Sequence, residues 1–301
     1  MHFLLPFFFK GDIKKLQCPG CVPMKHSQDT NYADDLLHIQ THYSHKTRRR
    51  HMQPNARKTK DSLRTLNNLR KKSLLQQAVS EIEAPVITVL DCGAGSGQDL
   101  HKWAGVSQTT RRRIMYSSCD LCDESVREAQ RRVAKLTAPL LTCDIQAGDA
   151  LACLRRTAVC DLVCFLFSLQ YMCRTIGDLR SYFDAMRSTV RPGGMLVIVL
   201  PIRERLEPRM GESNVYYSFI PQSDPGAPEY LRYSFSLQNC IWDCMEHAIP
   251  LADLLRCAEE YDFDTVRSEP WEDLSCHGVP LSHLQARLNS IYHALCFRRR
   301  P

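Results

Sequence analysis

Short apolar runs alternate with amphipathic stretches along the chain from residue 86 onward. Apolar runs rich in β-branched residues predict buried strands, and apolar positions at helical spacing predict amphipathic helices. Strands and helices in alternation indicate a mostly parallel sheet with helices on both faces. We predict strands at Val86–Leu90, Ile114–Cys119, Leu140–Asp144, Cys160–Phe167 and Met195–Leu200, and helices at Asp99–Trp103, Glu124–Lys135, Ala147–Leu154 and Gly177–Val190.

The pattern changes on either side of this block. Residues 203–232 are richer in Pro, Gly and Glu, which predicts an insertion over the sheet, and a helix at Ile249–Glu260 and a strand at Ile291–Phe297 follow it. Residues 1–40 show no periodicity and predict a poorly ordered extension. Residues 41–80 are basic and contain a predicted helix with Leu63, Leu66 and Leu74 on one face and Ser62 as its cap.

Charge and cysteine usage narrow the function classes. The 301 residues carry a net charge of +6, which suits a polyanionic partner such as nucleic acid. The charge is concentrated in five basic clusters, at residues 48–50, 57–60, 70–72, 111–113 and 298–300. Solvated surface and a nuclear localisation signal are the alternatives for any one cluster. The 15 cysteines form no regular framework, and one Cys18–Cys21 pair is weak support for zinc, so we predict no metal site. The apolar start of the chain is too short to span a bilayer, and we predict no membrane association.

A glycine loop follows the first predicted strand. The segment Asp91–Gly97 reads Asp-Cys-Gly-Ala-Gly-Ser-Gly, and glycines are needed where a backbone turns sharply or lies against a ligand. Such a loop at the carboxyl end of a parallel strand predicts a nucleotide-like ligand. The G-x-G-x-G spacing and the preceding Asp91 favour S-adenosylmethionine, because dinucleotide binders carry G-x-G-x-x-G. A nicotinamide cofactor remains the alternative.

Three carboxylates follow successive predicted strands. Asp91 can meet the charged amino group of a methionine moiety, Asp120 can accept from both ribose hydroxyls, and Asp149 can accept from an adenine amino group. Each alone could be a helix cap or a loop carboxylate. Because they stand with the glycine loop at successive strand ends, the sequence predicts a nucleoside-binding, doubly wound α/β fold with an antiparallel C-terminal strand.

Several motifs resemble those of the messenger RNA cap guanine-N7 methyltransferases. His42–Ser44 resembles the family's His-Tyr-Asn motif, and Leu63–Asn68 with Lys71 resembles its Leu-Arg-Asn-Phe-Asn-Asn helix. Gln98–Trp103 matches the end of its glycine loop, Asp-Leu-x-Lys-Trp. The resemblance implies a Rossmann-like class I methyltransferase fold over residues 81–301, with a cap-binding insertion at about residues 203–250 and the 41–80 segment completing the active site.

The resemblance also implies roles for individual positions. S-adenosylmethionine would be held by Lys71, Asp91, Gly93, Gly95, Asp120, Asp149 and the backbone of Leu166. The cap would be bound by Asn67, Asn68, Arg132, Gln170, Tyr171, Glu246 and Tyr292. No side chain would act as a catalytic acid or base, because guanine N7 bears no proton and the methyl group would move by in-line displacement. The implied partner is GpppN-capped RNA in the nucleus, with the guanylyltransferase and triphosphatase or RNA polymerase machinery as further candidates.

The sequence departs from the family pattern at three places. Ser96 replaces a lysine in the glycine loop, Gln170 replaces a histidine, and Glu246 lies between Met245 and His247 instead of Pro and Phe. These departures keep two alternatives open. One is methyl transfer to another RNA or to a small molecule, and the other is a catalytically weak RNA-binding scaffold of the same fold.

Overall fold

The computed structural model describes residues 37–44, 61–222, 229–274 and 278–301. The Cys18–Cys21 pair, most of the predicted extension and the basic clusters at 48–50 and 57–60 lie outside these residues. In the ranges that are described, no helix is long and apolar enough to cross a membrane.

Ten strands and nine helices make up the described residues, together with short 3₁₀ turns. The strands are β1 (Val86–Cys92), β2 (Arg113–Asp120), β3 (Leu141–Ala147), β4 (Cys160–Leu166), β5 (Val190–Pro201), β6 (Tyr217–Pro221), β7 (Leu231–Leu237), β8 (Ile241–Ala248), β9 (Phe263–Pro270) and β10 (Tyr292–Arg299). The helices are α1 (37–44), α2 (Ser62–Ser80), α3 (Leu100–Thr110), α4 (Asp123–Val133), α5 (Ala150–Arg156), α6 (Ile176–Thr189), α7 (Arg203–Leu206), α8 (Leu251–Glu260) and α9 (His283–Asn289).

Seven strands form the central sheet in the order β3-β2-β1-β4-β5-β10-β9. The first five are parallel to one another, and β10 runs antiparallel to both β5 and β9. Every residue of β4 is buried, and all but Asp161, which pairs with Arg191, are apolar, as expected for a central parallel strand. The predicted α/β class with an antiparallel C-terminal strand is confirmed, and each predicted strand overlaps an observed one.

Helices cover both faces of the sheet. On one face α2, α3 and α4 bury Leu74, Trp103 and Val126 in a common core, and on the other α6 and α8 bury Phe183 and Leu254. The two cores account for the amphipathic spacing seen in the sequence, because each helix turns one apolar stripe toward the sheet. The sheet is therefore doubly wound, and sheets of this kind bind their ligands at the carboxyl ends of the strands.

A second, three-stranded antiparallel sheet lies within the predicted insertion, in the order β6-β7-β8. Phe219, Tyr233 and Phe235 are buried in it, while Ser218 and Ser236 alternate with them. This alternation is the period-2 signal of a half-buried strand. The sequence interpretation recognised an insertion here but not its strands, and it also missed β9, half of whose residues are exposed.

Several local predictions need correction. The cap of α2 is Asp61, whose carboxylate accepts the Leu63 N–H at 3.0 Å, and not Ser62. Arg70 is buried and donates to the carbonyl oxygens of Leu274 and Glu272, so it does not belong to an exposed basic cluster. The boundary predicted at residue 40 falls inside α1, because Ile39 is buried there and the helix continues to residue 44.

Two basic clusters lie at the edge of the sheet opposite the glycine loop. Residues 111–113 lead into the amino end of β2, and residues 298–300 follow the antiparallel β10 to the same edge. Arg112 donates to the Val79 carbonyl at 3.2 Å, Arg298 pairs with Glu81 at 2.6 Å, and Arg300 pairs with Asp264 at 2.7 Å. These arginines stabilise the edge of the sheet at the amino ends of the parallel strands, and they lie away from the carboxyl ends that form the site.

Candidate functional site

The glycine loop turns sharply at the carboxyl end of β1. Gly93, Gly95 and Gly97 have φ values of +75°, +57° and +68°, which L side chains rarely adopt. A Cβ on Gly93 would lie 2.6 Å from the Ser168 Cβ, whereas a Cβ on Gly95 would meet no atom within 4 Å. The Gly93 N–H donates to the Cys119 carbonyl at 2.9 Å, which fixes the loop to the end of β2. The loop is thus packed on one side and open on the other.

The Asp120 carboxylate is held by backbone N–H groups. Its Oδ2 accepts from Gly95 at 2.7 Å and its Oδ1 accepts from Cys122 at 3.0 Å. Burial raises the pKa of Asp120, and the two N–H donors oppose that rise. A carboxylate has about four lone-pair sites, so Asp120 keeps acceptor capacity toward the neighbouring pocket.

Asp149 follows β3 and begins α5. Its Oδ1 accepts the Ala152 N–H at 2.9 Å, so the helix-cap interpretation is correct for this side chain. Asp149 also lines the same pocket as Asp120. The hydrogen bond from Ala152 holds one carboxylate oxygen, and the rest of the Asp149 side chain contributes to the pocket wall. This capping explains why α5 begins at Ala150 and not at the predicted Ala147.

A pocket opens where these strand ends meet, at the place where doubly wound sheets bind their ligands. Its wall combines the glycine loop, the ends of β2 and β3, the residues after β4, and α1. The lining residues include Ile39, Gln40, Tyr43, Gly93, Gly95, Asp120, Asp149, Phe167, Ser168 and Tyr171. Two carboxylates beside an open glycine turn fit a nucleoside-bearing cofactor, because they can accept from hydroxyl and amino groups while the backbone approaches closely.

Three charged side chains form a compact cluster behind the glycine loop. Asp99 lies between Lys71, at 2.7 Å, and Lys102, and both ammonium groups lower its pKa. The Lys71 ammonium also lies 5.0 Å from the centre of the Phe167 ring, which lines the pocket. Lys71 is therefore next to the pocket wall but does not itself line the pocket.

Asp91 is buried at the end of β1. The Tyr116 hydroxyl donates to its Oδ2 at 3.0 Å. Burial raises the pKa of Asp91 to about 7, and the charge of Asp99 adds to the rise. A nearby cation would stabilise the ionised form of this buried carboxylate and lower its pKa toward the ordinary value.

Leu166 ends β4 and does not line the pocket; the next two residues, Phe167 and Ser168, do. Phe167 has a φ of +65°, so the chain turns abruptly as it leaves the strand. The Ser168 hydroxyl donates to the Cys92 carbonyl at 2.7 Å. Sequence reasoning missed these two residues, although the end of a largely apolar strand was the available signal.

Aromatic side chains surround the buried carboxylate of Glu246 on β8, a cluster that we call the aromatic pocket. The Tyr171 hydroxyl donates to Glu246 Oε1 at 2.7 Å, and the Tyr233 hydroxyl donates to Oε2. Glu246 is only 3% exposed, and burial raises its pKa to about 7, while hydrogen bonds from Tyr233, Tyr171 and Gln170 oppose that rise. The Tyr292 ring meets the Phe167 ring edge-on, with 4.9 Å between centroids. Tyr171 belongs to both pockets and joins them.

The structure brings together four of the seven residues predicted to bind the cap: Gln170, Tyr171, Glu246 and Tyr292. The other three lie elsewhere. The Asn67 side chain accepts from the Trp271 indole at 2.8 Å, and Asn68 lies half-buried beside it on α2. Arg132 lies on α4 and pairs with Glu128 at 3.1 Å. Tyr233 was not predicted, although its alternation with Phe235 was visible in the sequence.

The described residues contain no cluster of three or more His, Cys, Asp or Glu side chains that could hold a metal ion. The oxygen and nitrogen groups at this edge are instead spread along two joined pockets. The geometry suits an organic ligand of nucleoside size beside a second, planar one.

The fold is that of Rossmann-like methyltransferases. It is similar to a S-adenosylmethionine-dependent methyltransferase from Clostridium acetobutylicum, with a TM-score of 0.55 and 12% identity over 78% of this chain and 92% of that one. It is also similar to the CcbJ methyltransferase from Streptomyces caelestis, with a TM-score of 0.52 and 13% identity over 77% and 90% of the two chains. At these identities the likeness shows the fold alone.

Sequence similarity identifies the family. The model of the mRNA (guanine-N(7))-methyltransferase domain matches residues 25–293, and the chain belongs to this family. Two relatives are mRNA cap guanine-N(7) methyltransferases: that of Schizosaccharomyces pombe is 25% identical, covering 70% of this chain and 62% of the relative. That of Saccharomyces cerevisiae is 24% identical, covering 72% and 54%. The chain thus spans less than two thirds of the length of these curated relatives.

Proposed function

We propose that this protein methylates N7 of the cap guanine in GpppN-capped RNA, with S-adenosylmethionine as the methyl donor. The observation that carries the proposal is the Glu246 carboxylate, held by two tyrosine hydroxyls at the end of a nucleoside-sized pocket. Membership of the guanine-N7 methyltransferase family gives the chemistry, and the aromatic pocket gives a place for the guanine.

The nucleoside pocket would hold the cofactor, which when bound supplies a sulfonium methyl group as the electrophile. Asp120 and Asp149 present acceptors for the adenosine hydroxyl and amino groups, and the open side of Gly95 allows close approach. Asp91, buried and short of a cation, suits the positively charged amino group of the methionine end. Lys71 lies close enough to the wall to meet its carboxylate.

The aromatic pocket would read the Watson–Crick edge of guanine. Guanine carries two donors there, N1–H and the 2-amino group, and ionised Glu246 is an acceptor only. Tyr171 and Tyr233 occupy one site on each carboxylate oxygen, and guanine would take the remaining sites in place of the Gln170 amide. Adenine has no N1–H, so the same carboxylate discriminates against it. The rings of Tyr171 and Tyr292 supply flat apolar surfaces beside the base.

No side chain needs to move a proton in this reaction. Guanine N7 attacks through a free lone pair, and the protein would act by placing it in line with the methyl group. Such positioning can contribute about 7–11 kcal/mol to lowering the barrier. Positive charge moves onto the guanine ring during the transfer, and the Glu246 carboxylate would favour that movement. The pH dependence should therefore appear in cap binding, with kcat flat over the same range.

The cellular setting follows from this reaction. The substrate would be RNA capped by a separate guanylyltransferase after triphosphatase action, and we expect the protein to work in the nucleus beside that machinery or RNA polymerase. In the described clusters at 111–113 and 298–300, Arg112, Arg298 and Arg300 are paired with groups of the fold, and both clusters lie at the edge of the sheet opposite the glycine loop.

The direct test is incubation of the full chain with methyl-labelled S-adenosylmethionine and GpppN-capped RNA, followed by digestion. We expect label in N7-methylguanosine. Glu246→Gln should lower kcat/KM roughly hundredfold, because it removes a charged acceptor from two donors. Glu212→Gln is the matched control, since Glu212 also accepts from a tyrosine, Tyr217, but lies outside both pockets. Cofactor binding without label in the cap would contradict the proposal and favour another acceptor or a scaffold role.

A further inference from the structure

A directed chain of hydrogen bonds links α1 to Glu246. The Tyr43 hydroxyl donates to the Tyr171 hydroxyl at 3.1 Å, and Tyr171 donates to Glu246 Oε1 at 2.7 Å. The rings of Tyr43 and Tyr171 also meet edge-on, with 6.1 Å between centroids. Glu246 is the final acceptor of a chain that begins on α1, a helix that precedes the central sheet in sequence.

The same helix closes the nucleoside pocket. Ile39, Gln40 and Tyr43 all line that pocket. Gln40 Nε2 donates to the Leu121 carbonyl at 3.2 Å, and the Ser44 hydroxyl donates to Glu124 at 2.7 Å. Both hydrogen bonds hold α1 against the residues that follow Asp120, up to the first turn of α4. Tyr43 is therefore the residue on this helix that contacts the nucleoside pocket and the Glu246 chain at once.

Hydrogen bonds, and not cations, oppose the rise in the pKa of Glu246 that burial causes. The titratable groups that face it are hydroxyls and a thiol: Tyr43 on α1, Tyr171 in the 3₁₀ turn, Tyr233 on β7, Cys244 on β8 and Tyr292 on β10. Gln170 adds an uncharged donor. Among the described residues, every group that lowers the pKa of this carboxyl is neutral. The protonation state of Glu246 therefore depends on whether its hydrogen-bond donors are in place.

We propose that Tyr43 is a positioning residue through which α1, once closed over the nucleoside pocket, orients Tyr171 and keeps the Glu246 carboxylate ready for guanine. The effect on guanine rests on the proposed function. The consequence is coupling between the two pockets: a cofactor that contacts α1 strengthens guanine binding, and guanine strengthens cofactor binding by the same factor.

The test is Tyr43→Phe, which keeps the ring and removes the hydroxyl. We expect about a tenfold loss of affinity for GpppG measured with S-adenosylhomocysteine present, and little change without it. Tyr217→Phe is the matched control, because it removes a tyrosine-to-glutamate hydrogen bond at Glu212 and should leave both affinities unchanged. In a Tyr171→Phe background the Tyr43→Phe effect should vanish, because the two hydroxyls act in series.

A second measurement separates this inference from the proposed function. Carbon-13 NMR of glutamate carboxyls, without RNA, reports the pKa of Glu246, whose signal Glu246→Gln identifies. Tyr43→Phe should raise that pKa, while Tyr217→Phe should not move it. An unchanged pKa with an intact melting temperature would overturn the role of Tyr43. A raised pKa in a protein that transfers no methyl group to capped RNA would uphold Tyr43 and overturn the proposed function.

Discussion

The nucleoside pocket and the aromatic pocket are built in different ways. The first is made largely of backbone, with positive-φ glycines and N–H groups that hold Asp120 at the ends of parallel strands. The second is made of side chains, with tyrosines from separate elements converging on Glu246. A backbone site tolerates little change in shape, whereas a side-chain site can be retuned by single substitutions. The nucleoside pocket should therefore be most sensitive to changes in the backbone, and the aromatic pocket to changes in single side chains.

The largest effect should come from the glycine loop. Gly93→Ala would place a Cβ against Ser168 in a backbone conformation that disfavours it, so we expect a loss of about 3 kcal/mol in unfolding free energy. Gly95→Ala meets open space and should cost only about 1–2 kcal/mol through its positive φ. Chemical denaturation of both variants checks this order, and equal losses would show that the loop is not packed as described.

A smaller and more selective effect is expected at Asp120. Asp120→Asn keeps the size of the side chain but presents an amide where Gly95 and Cys122 donate. Affinity for S-adenosylhomocysteine should fall roughly tenfold to hundredfold, because hydrogen bonds to a charged acceptor are lost. Calorimetric titration measures it. Asp144→Asn, on the same side of the sheet but outside the pocket wall, serves as the control.

The smallest expected effect is the pH dependence of KM for capped RNA, which reports on Glu246 in the aromatic pocket. The pKa of Glu246 is raised to about 7, and only the ionised form accepts from both guanine donors. As pH falls from 8 to 6, KM for capped RNA should therefore rise by about an order of magnitude, since a carboxyl with a pKa of 7 is mostly protonated at pH 6. In Glu246→Gln the KM should be flat with pH. If kcat also fell as the pH is lowered from 8 to 6, the reaction would include a proton transfer, which the positioning mechanism does not contain.

The two pockets also differ in how far the sequence predicts them. Asp91, Gly93, Gly95 and Asp120 follow their strands within a few residues, so strand prediction places them together. Glu246 and Tyr171 are 75 residues apart, and no local pattern places them in hydrogen-bond contact. Their association was implied by family resemblance only.

Other errors have similar local causes. β9 escaped prediction because an edge strand with an exposed, charged face lacks an apolar signal. Arg70 was assigned to a surface cluster because composition cannot reveal that carbonyl groups of a distant segment satisfy its guanidinium. Tyr233 was overlooked because a short alternating strand inside an insertion resembles a polar loop. In each case tertiary contacts outweighed the local pattern.

The most direct test of the central claim compares two RNAs under identical conditions. One ends in GpppN, and the other in the same cap built with 1-methylguanosine, which keeps N7 free but lacks N1–H. The account predicts label at N7 of the unmodified cap and a rate at least roughly hundredfold lower on the 1-methyl cap, because Glu246 would face a methyl group where it needs a donor. Equal rates on the two caps, or label elsewhere in the RNA, would contradict it.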